Sequence, residues 1–225
     1  MFKNKKHVHP QPNTRDIKQR SRLMAAAQKR LAKFDDEIAG GYEVIKNYEK
    51  TVTIFGSARV GHLHPSYKKA RKLAHLLTED GFTVVTGGGG GIMKAGNQGA
   101  HDAGKDTVGF NIQLPYEQIL NEYANKNASF HYFFTRKVML TFFADAYIYF
   151  PGGFGTLDEL FELLTLIQTE KIPKAPVILV GSKHWKPLDK FISTTLLRNH
   201  YIHAKDRKLY TITDDFDEIR KLIAK

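Results

Sequence analysis

Two stretches of this 225-residue sequence are dense in glycine: Thr86-Gly87-Gly88-Gly89-Gly90-Gly91-Ile92-Met93 and Pro151-Gly152-Gly153-Phe154-Gly155-Thr156. Each lies between a short apolar run and an amphipathic stretch, so each reads as a turn from a strand into a helix. A helix N-terminus carries unpaired N–H groups and a partial positive charge, and it attracts anions. Glycine lets the backbone approach a phosphate with no Cβ in the way. Gly88, Gly89, Gly152, Gly153 and Gly155 are therefore candidate phosphate contacts. Thr156 adds a hydroxyl at the expected cap position, and Ser57, in Gly56-Ser57 after an earlier strand, adds another. Tight turns in a parallel sheet use the same residue types, but three such turns in one chain favour a phosphate ligand.

Arg136 and Lys137 follow an aromatic run and fall in the first turn of a helix that Thr135 is expected to cap. Cations at that end oppose the helix dipole, which makes sense where they face an anion. Glu159, three residues after Thr156, fits a capping box. Beside an arginine it is expected to be ionised, able to stabilise a developing cation or orient water. Asp158 and Glu162 share its helix and read as facing solvent or a partner.

Other chemistries find less support. No glycine is followed by Lys-Ser or Lys-Thr, so the P-loop pattern fails and an NTPase is disfavoured. No acidic residue ends the second strand in the manner of a dinucleotide fingerprint, which weakens a dehydrogenase reading. The absence of cysteine excludes disulfides, thiolate metal clusters and a thiol nucleophile. His62 with His64, and His200 with His203, lack a third ligand at a fixed offset, so no metal is expected. Trp185 reads as packing.

The elements that must position these residues follow from periodicity. Strands are expected at Thr51–Phe55, Phe82–Thr86, Thr107–Ile112, Phe130–Phe134, Ala146–Phe150 and Pro176–Val180, with an edge strand at Tyr210–Thr213. Helices are expected at Pro65–Asp80, Ile92–Ala103, Thr135–Ala144, Thr156–Glu170, Trp185–Asn199 and Asp214–Ala224, with a loop or short helix over Pro115–Asn127. Apolar strands alternating with amphipathic helices imply an α/β fold: a Rossmann-like, doubly wound, mostly parallel sheet with helices on both faces. Its ligands belong outside the carboxyl ends of the strands, near the topological switch point.

Three regions are expected: a loose basic tail over 1–14, a helical segment over 15–50, as one helix or as two with Gly40-Gly41 the natural break, and the Rossmann-like domain over 51–225. The net charge of +11 is unevenly spread: residues 1–33 hold ten Lys/Arg and one acid, and the remainder is close to neutral. The basic character thus belongs to an arm, and nucleic acid is a partner only through that arm. No apolar run is long enough to span a bilayer and no secretory signal opens the chain, so a cytoplasmic location without membrane association is expected.

In order, Gly56-Ser57-Ala58-Arg59, the Thr86–Met93 stretch, Arg136-Lys137-x-Met139-Leu140 and Pro151-Gly152-Gly153-Phe154-Gly155-Thr156-x-x-Glu159 resemble the Lonely Guy phosphoribohydrolases of the longer bacterial type, over roughly residues 51–200. The family usually has Glu after Ile92-Met93, where Lys94 stands here, with Asn97 retained. The resemblance implies hydrolysis of the N-glycosidic bond of a nucleoside 5′-monophosphate, such as AMP or a cytokinin riboside 5′-monophosphate, to free base and ribose 5-phosphate. It implies Arg136 and Glu159 as the catalytic pair, with Ser57, Gly88, Gly89, Lys137, Gly152, Gly153, Gly155 and Thr156 binding substrate. It also implies no metal or organic cofactor, and a homodimer or higher homo-oligomer with sites near the subunit interface. Lysine decarboxylase, an older label for such proteins, does not fit, because nothing here resembles a pyridoxal phosphate enzyme. A non-catalytic carrier of a nucleotide or of molybdenum cofactor on the same fold is the alternative; it would not need the arginine–glutamate pair.

Overall fold

A computed structural model describes residues 14–114 and 119–224. The chain divides into two compact units, Met1–Asp36 and Glu37–Lys225. Helix α1 runs over Thr14–Ile45 without a break, so of the two alternatives the single helix forms and Gly40-Gly41 does not divide it. The reason lies in packing: a Cβ at Gly41 would stand 2.7 Å from Met139 Cγ and 3.0 Å from Phe130 Cζ, so glycine serves close approach rather than a turn. The expected tail over 1–14 lies outside the described residues except for Thr14, which opens α1.

Among the described residues seven strands, all paired in parallel, form one sheet in the order β4-β3-β2-β1-β5-β6-β7: β1 Thr51–Phe55, β2 Thr83–Thr86, β3 Thr107–Ile112, β4 Lys126–Phe130, β5 Ala146–Tyr149, β6 Val177–Leu179 and β7 Thr211–Ile212. The helices between them are α2 Pro65–Glu79, α3 Ile92–Asp102, α4 Phe133–Thr141, α5 Phe154–Gln168, α6 Ser182–Phe191, which continues as a π-helical stretch over Ile192–Leu197, and α7 Phe216–Ile223. A 3₁₀ helix spans Ala204–Lys208.

Alternation along the strands splits the core in two, as a sheet covered on both faces requires. Val52, Ile54, Val84, Ala146 and Ile148 pack one face against Leu73 and Leu77 of α2, Ile92 of α3 and Ile219 of α7. Phe55, Val85, Phe110, Tyr147 and Tyr149 pack the other against Ile45 of α1, Met139 and Leu140 of α4, Leu160 and Leu163 of α5, and Trp185. Trp185 donates its indole N–H to Val180 O at 3.0 Å, so packing is its role.

The fourth strand departs most from expectation. It lies at Lys126–Phe130, whereas Phe130–Phe134 bends into α4. As an edge strand, β4 pairs among the described residues with β3 alone and is largely exposed, so it tolerates the polar sequence Lys-Asn-Ala-Ser and carries a charge that discourages further pairing. The aromatic run after it looks more strand-like than the strand does. No helix forms over residues 119–125; residues 115–118 lie outside those described.

Candidate active site

The chain passes from β1 outward through β2 and β3 to β4, then returns to place β5 on the other side of β1. The carboxyl ends of β1 and β5 thus flank the switch point, where α/β folds open a crevice. Ser57 N–H donates to Pro151 O at 3.0 Å and Ile92 N–H to Ser57 O at 2.9 Å, which ties three strand-to-helix turns together. A cleft of about 670 Å³ opens there, within the size range of small-molecule sites. Its polar wall carries Ser57, Arg59, Arg136, Gly153, Gly155, Thr156 and Glu159, and its apolar wall Met93, Ile112, Leu114, Phe133 and Phe154.

Helix α5 begins earlier than expected. Gly153 is the N-cap and Thr156 sits in the first turn, so no Thr156–Glu159 capping box forms and no side chain caps this end. The N–H groups of Phe154, Gly155 and Thr156 lie in the first turn, where helical N–H groups lack an intrahelical acceptor. They open on the cleft, and the first turn holds no acid to oppose an anion.

Arg136 is 5% exposed. Its Nε–H donates to Phe110 O at 2.7 Å and its Nη2 to Gly87 O at 3.2 Å, while Nη1 stands 3.7 Å from Glu159 Oε1. The guanidinium therefore bridges the end of β3, the first glycine after β2 and the α5 carboxylate. Gly87 is required at this point, because a Cβ there would overlap the guanidinium. Burial pulls the Arg136 guanidinium below its usual value and Glu159 opposes the shift. Desolvation, only partly offset by Arg136, pushes Glu159 up to about 7. This corrects the expectation of a fully ionised carboxylate: near neutral pH the group sits between its two forms.

The other expected contacts divide. Ser57, Gly153, Gly155 and Thr156 line the cleft; Gly152 lies directly behind it, against Thr156. Gly88 and Gly89 are buried under the 120–121 segment instead: Asn121 N–H donates to Gly88 O at 2.8 Å and Asn121 Nδ2 to Gly89 O at 3.0 Å. Asn97 joins this network, accepting from Thr86 Oγ1 at 2.6 Å and donating to Thr107 Oγ1 at 2.6 Å. That glycine turn thus braces the Arg136 side of the site rather than lining it.

Lys137 does not line the cleft. Its ammonium sits 3.1 Å from Asp158 and 2.7 Å from Glu162, joining α4 to α5. Desolvation would lower this ammonium, but its bonds to Glu162 and Asp158 outweigh it and the net shift is upward. Thr135 is not the cap of α4 either; Tyr132 holds that position and its side chain makes no cap bond. Lys94 points away from the cleft, pairing with Glu122 at 2.8 Å and lying 5.6 Å from the Tyr123 ring centre.

Two residues that sequence reasoning passed over belong to the site. Arg59 lines the cleft, two residues after Ser57, and the strand-end rule could have found it. Met93 supplies apolar wall at the start of α3. Among the described residues, no group of three or more His, Asp or Glu is placed to hold a metal ion. No helix among the described residues is long and apolar enough to cross a membrane. His64 accepts from Ser66 N–H, which makes it the N-cap of α2.

Fold and cleft together define a doubly wound α/β protein that presents a helix N-terminus and a buried arginine–glutamate pair to one crevice at its switch point. Residues 93–223 match a family model described as "Possible lysine decarboxylase". The chain belongs to that family, the Lonely Guy family. It is 31% identical over 128 residues to the cytokinin riboside 5′-monophosphate phosphoribohydrolase LOG2 of Arabidopsis thaliana, covering 56% of this chain and 60% of that protein. It is 27% identical over 198 residues to the probable cytokinin riboside 5′-monophosphate phosphoribohydrolase LOG4 of Oryza sativa, covering 84% and 82%. Among solved structures, the structural-genomics target TM1055 superposes with a TM-score of 0.60 at 25% identity, covering 78% of this chain and 98% of that one. The molybdenum cofactor carrier protein of Chlamydomonas reinhardtii superposes at 0.59 with 19% identity, covering 78% and 99%, a likeness of fold.

Proposed function

We propose that the cleft hydrolyses the N-glycosidic bond of a nucleoside 5′-monophosphate, AMP or a cytokinin riboside 5′-monophosphate, to free base and ribose 5-phosphate. The observation that carries this reading is the buried pair, Arg136 Nη1 at 3.7 Å from Glu159 Oε1, in the wall of a cleft that the N-terminus of α5 enters. The activity for which the plant relatives are named supports it.

In this reading the 5′-phosphate rests on the first N–H groups of α5 and the Thr156 hydroxyl, with Ser57 and Arg59 opposite. Gripping this remote group fixes the ribose, and its binding energy is available for orienting the reacting carbon. The base lies along Met93, Ile112 and Phe133. As the bond between C1′ and the base nitrogen breaks, its electron pair leaves with the base and positive charge builds on the ribose. The Glu159 carboxylate stabilises that charge; a preorganised group of this kind contributes about 2.7–4 kcal/mol to the barrier. Water adds its oxygen to C1′, and its proton ends on the base. A carboxyl near 7 suits the transfer of that proton. Arg136, always charged, holds Glu159 in place and compensates its charge. Lys137, with its ammonium between Asp158 and Glu162, holds α4 against α5.

A second copy of the chain is the proposed partner. Phe133, Phe142, Phe143, Phe154 and Phe161, on or next to α4 and α5, are exposed, Phe154 by 94%. Apolar clusters of this kind mark interaction surfaces, and Phe133 and Phe154 also line the cleft. Light scattering at the mass of two or more copies is expected.

The decisive test incubates the protein with AMP and a panel of other nucleoside 5′-monophosphates, with chromatographic detection of base and ribose 5-phosphate. Equal release of both is expected. Retained nucleotide with no release of base would replace this reading by the non-catalytic carrier.

A further inference from the structure

Glu37 lies on the last part of α1, 94 residues before the turn it touches. It is 9% exposed. Its Oε1 accepts from His131 N–H at 2.8 Å, and its Oε2 accepts from the Thr135 hydroxyl at 2.6 Å and, at 3.4 Å, from Tyr132 N–H. These donors are the turn between β4 and α4 and the first turn of α4. The N-cap residue Tyr132 makes no side-chain cap bond, and Glu37 instead holds the backbone N–H groups that lead into α4 together with the Thr135 hydroxyl in its first turn.

The same contact resolves an electrostatic conflict. α4 has no acid in its first turn and carries Arg136 and Lys137 near its positive end, an unfavourable arrangement. Glu37 places a carboxylate at that end. It also fixes direction: Thr135 is held toward α1 while its neighbour Arg136 reaches Phe110 O and Gly87 O on the opposite side. The carboxylate is itself well anchored, since Ile45 is buried in the same core and Gly41 lies close against Met139 and Phe130.

We propose that Glu37 is a positioning residue for Arg136, holding the first turn of α4 where the guanidinium meets both the strand ends and Glu159. For turnover this rests on the reading of Arg136 and Glu159 as the catalytic pair. Misplacing a reacting group by about 1 Å can cost about a hundredfold in rate, and an indirect shift through one helical turn should cost somewhat less.

The test measures the full-length Glu37→Gln protein beside Thr135→Val, Arg136→Lys and Glu159→Gln, with AMP turnover, thermal unfolding and the Arg136 Nε–H resonance by NMR. For Glu37→Gln, kcat should fall about ten- to a hundredfold with KM within about twofold, and the Arg136 resonance should shift and exchange faster with solvent. Thr135→Val should reproduce the resonance shift, and Glu37→Gln should add no further loss in the Arg136→Lys background. A folded Glu37→Gln protein with an unmoved resonance overturns the proposal, as does an unchanged kcat where Arg136→Lys and Glu159→Gln have lost activity, or a fully additive double variant. If Glu37→Gln does not fold, an unmoved resonance in Thr135→Val overturns it. If the wild type releases no base, the nucleotide reading fails on its own, and the resonance still decides whether Glu37 holds Arg136.

Discussion

Replacing Glu159 with Gln should make the protein more stable above neutral pH while removing its activity. Burial raises this carboxyl from 4.5 to about 7, so the folded state binds the proton more tightly than the unfolded chain does. The stability this contributes is fully present below about pH 4.5 and is lost as pH rises through about 7. A shift of that size corresponds to about 3 kcal/mol, at 1.36 kcal/mol per pH unit. Glutamine resembles the protonated form, with Arg136 still donating to Phe110 O and Gly87 O, and so carries no such penalty. The two proteins should unfold alike in urea at about pH 4 or below. By pH 8 the variant should be more stable by about 3 kcal/mol, or about 6–12 °C in Tm for a chain of this size. The difference between the two titrations cancels every other ionisable group. Base release by the variant should fall about 10²–10³-fold. No stability gap at pH 8, or one of opposite sign, would refute the account of Glu159 as a desolvated carboxyl; wild-type turnover by the variant would refute its catalytic role.

Other outcomes follow from the same geometry. Turnover should rise with pH through about 7 as Glu159 ionises, and a kcat profile flat between pH 5.5 and about 8.5 would contradict this. Gly87→Ala should displace the Arg136 guanidinium, destabilising the fold by about 1–3 kcal/mol in urea unfolding and lowering kcat. Arg59→Ala, at the exposed edge of the cleft, should raise KM for AMP and leave its affinity for the free nucleoside base unchanged in calorimetry.

Most of the fold was legible because its signals are local. The apolar runs at β1, β3 and β5 and the amphipathic spacing of α2 and α3 each announce an element within a dozen residues. The errors have the same cause. Phe130–Phe134 mimics a strand because its apolar residues cluster, and only the edge position of β4 explains why the true strand is polar. The pair at Gly40-Gly41 offers a break because glycine is a weak helix former; Gly41 instead serves close contact with side chains about 90 residues away.

Within the site, sequence alone determined which turns carry glycine, that Arg136 and Glu159 lie just after two different strand ends, and that no thiol takes part. These are properties of residue type and short spacing, which chain order preserves. Tertiary structure alone decided which charges are free and which are spent. Lys137 and Arg136 are adjacent in the chain, yet one is neutralised by Asp158 and Glu162 while the other is buried against carbonyls and Glu159. Gly88 and Gly89 turned inward under Asn121, and Glu37 reached the site from a distant helix. Burial and long-range pairing set the protonation of Glu159, and neither can be read from neighbours along the chain, because desolvation depends on what the fold packs around a group.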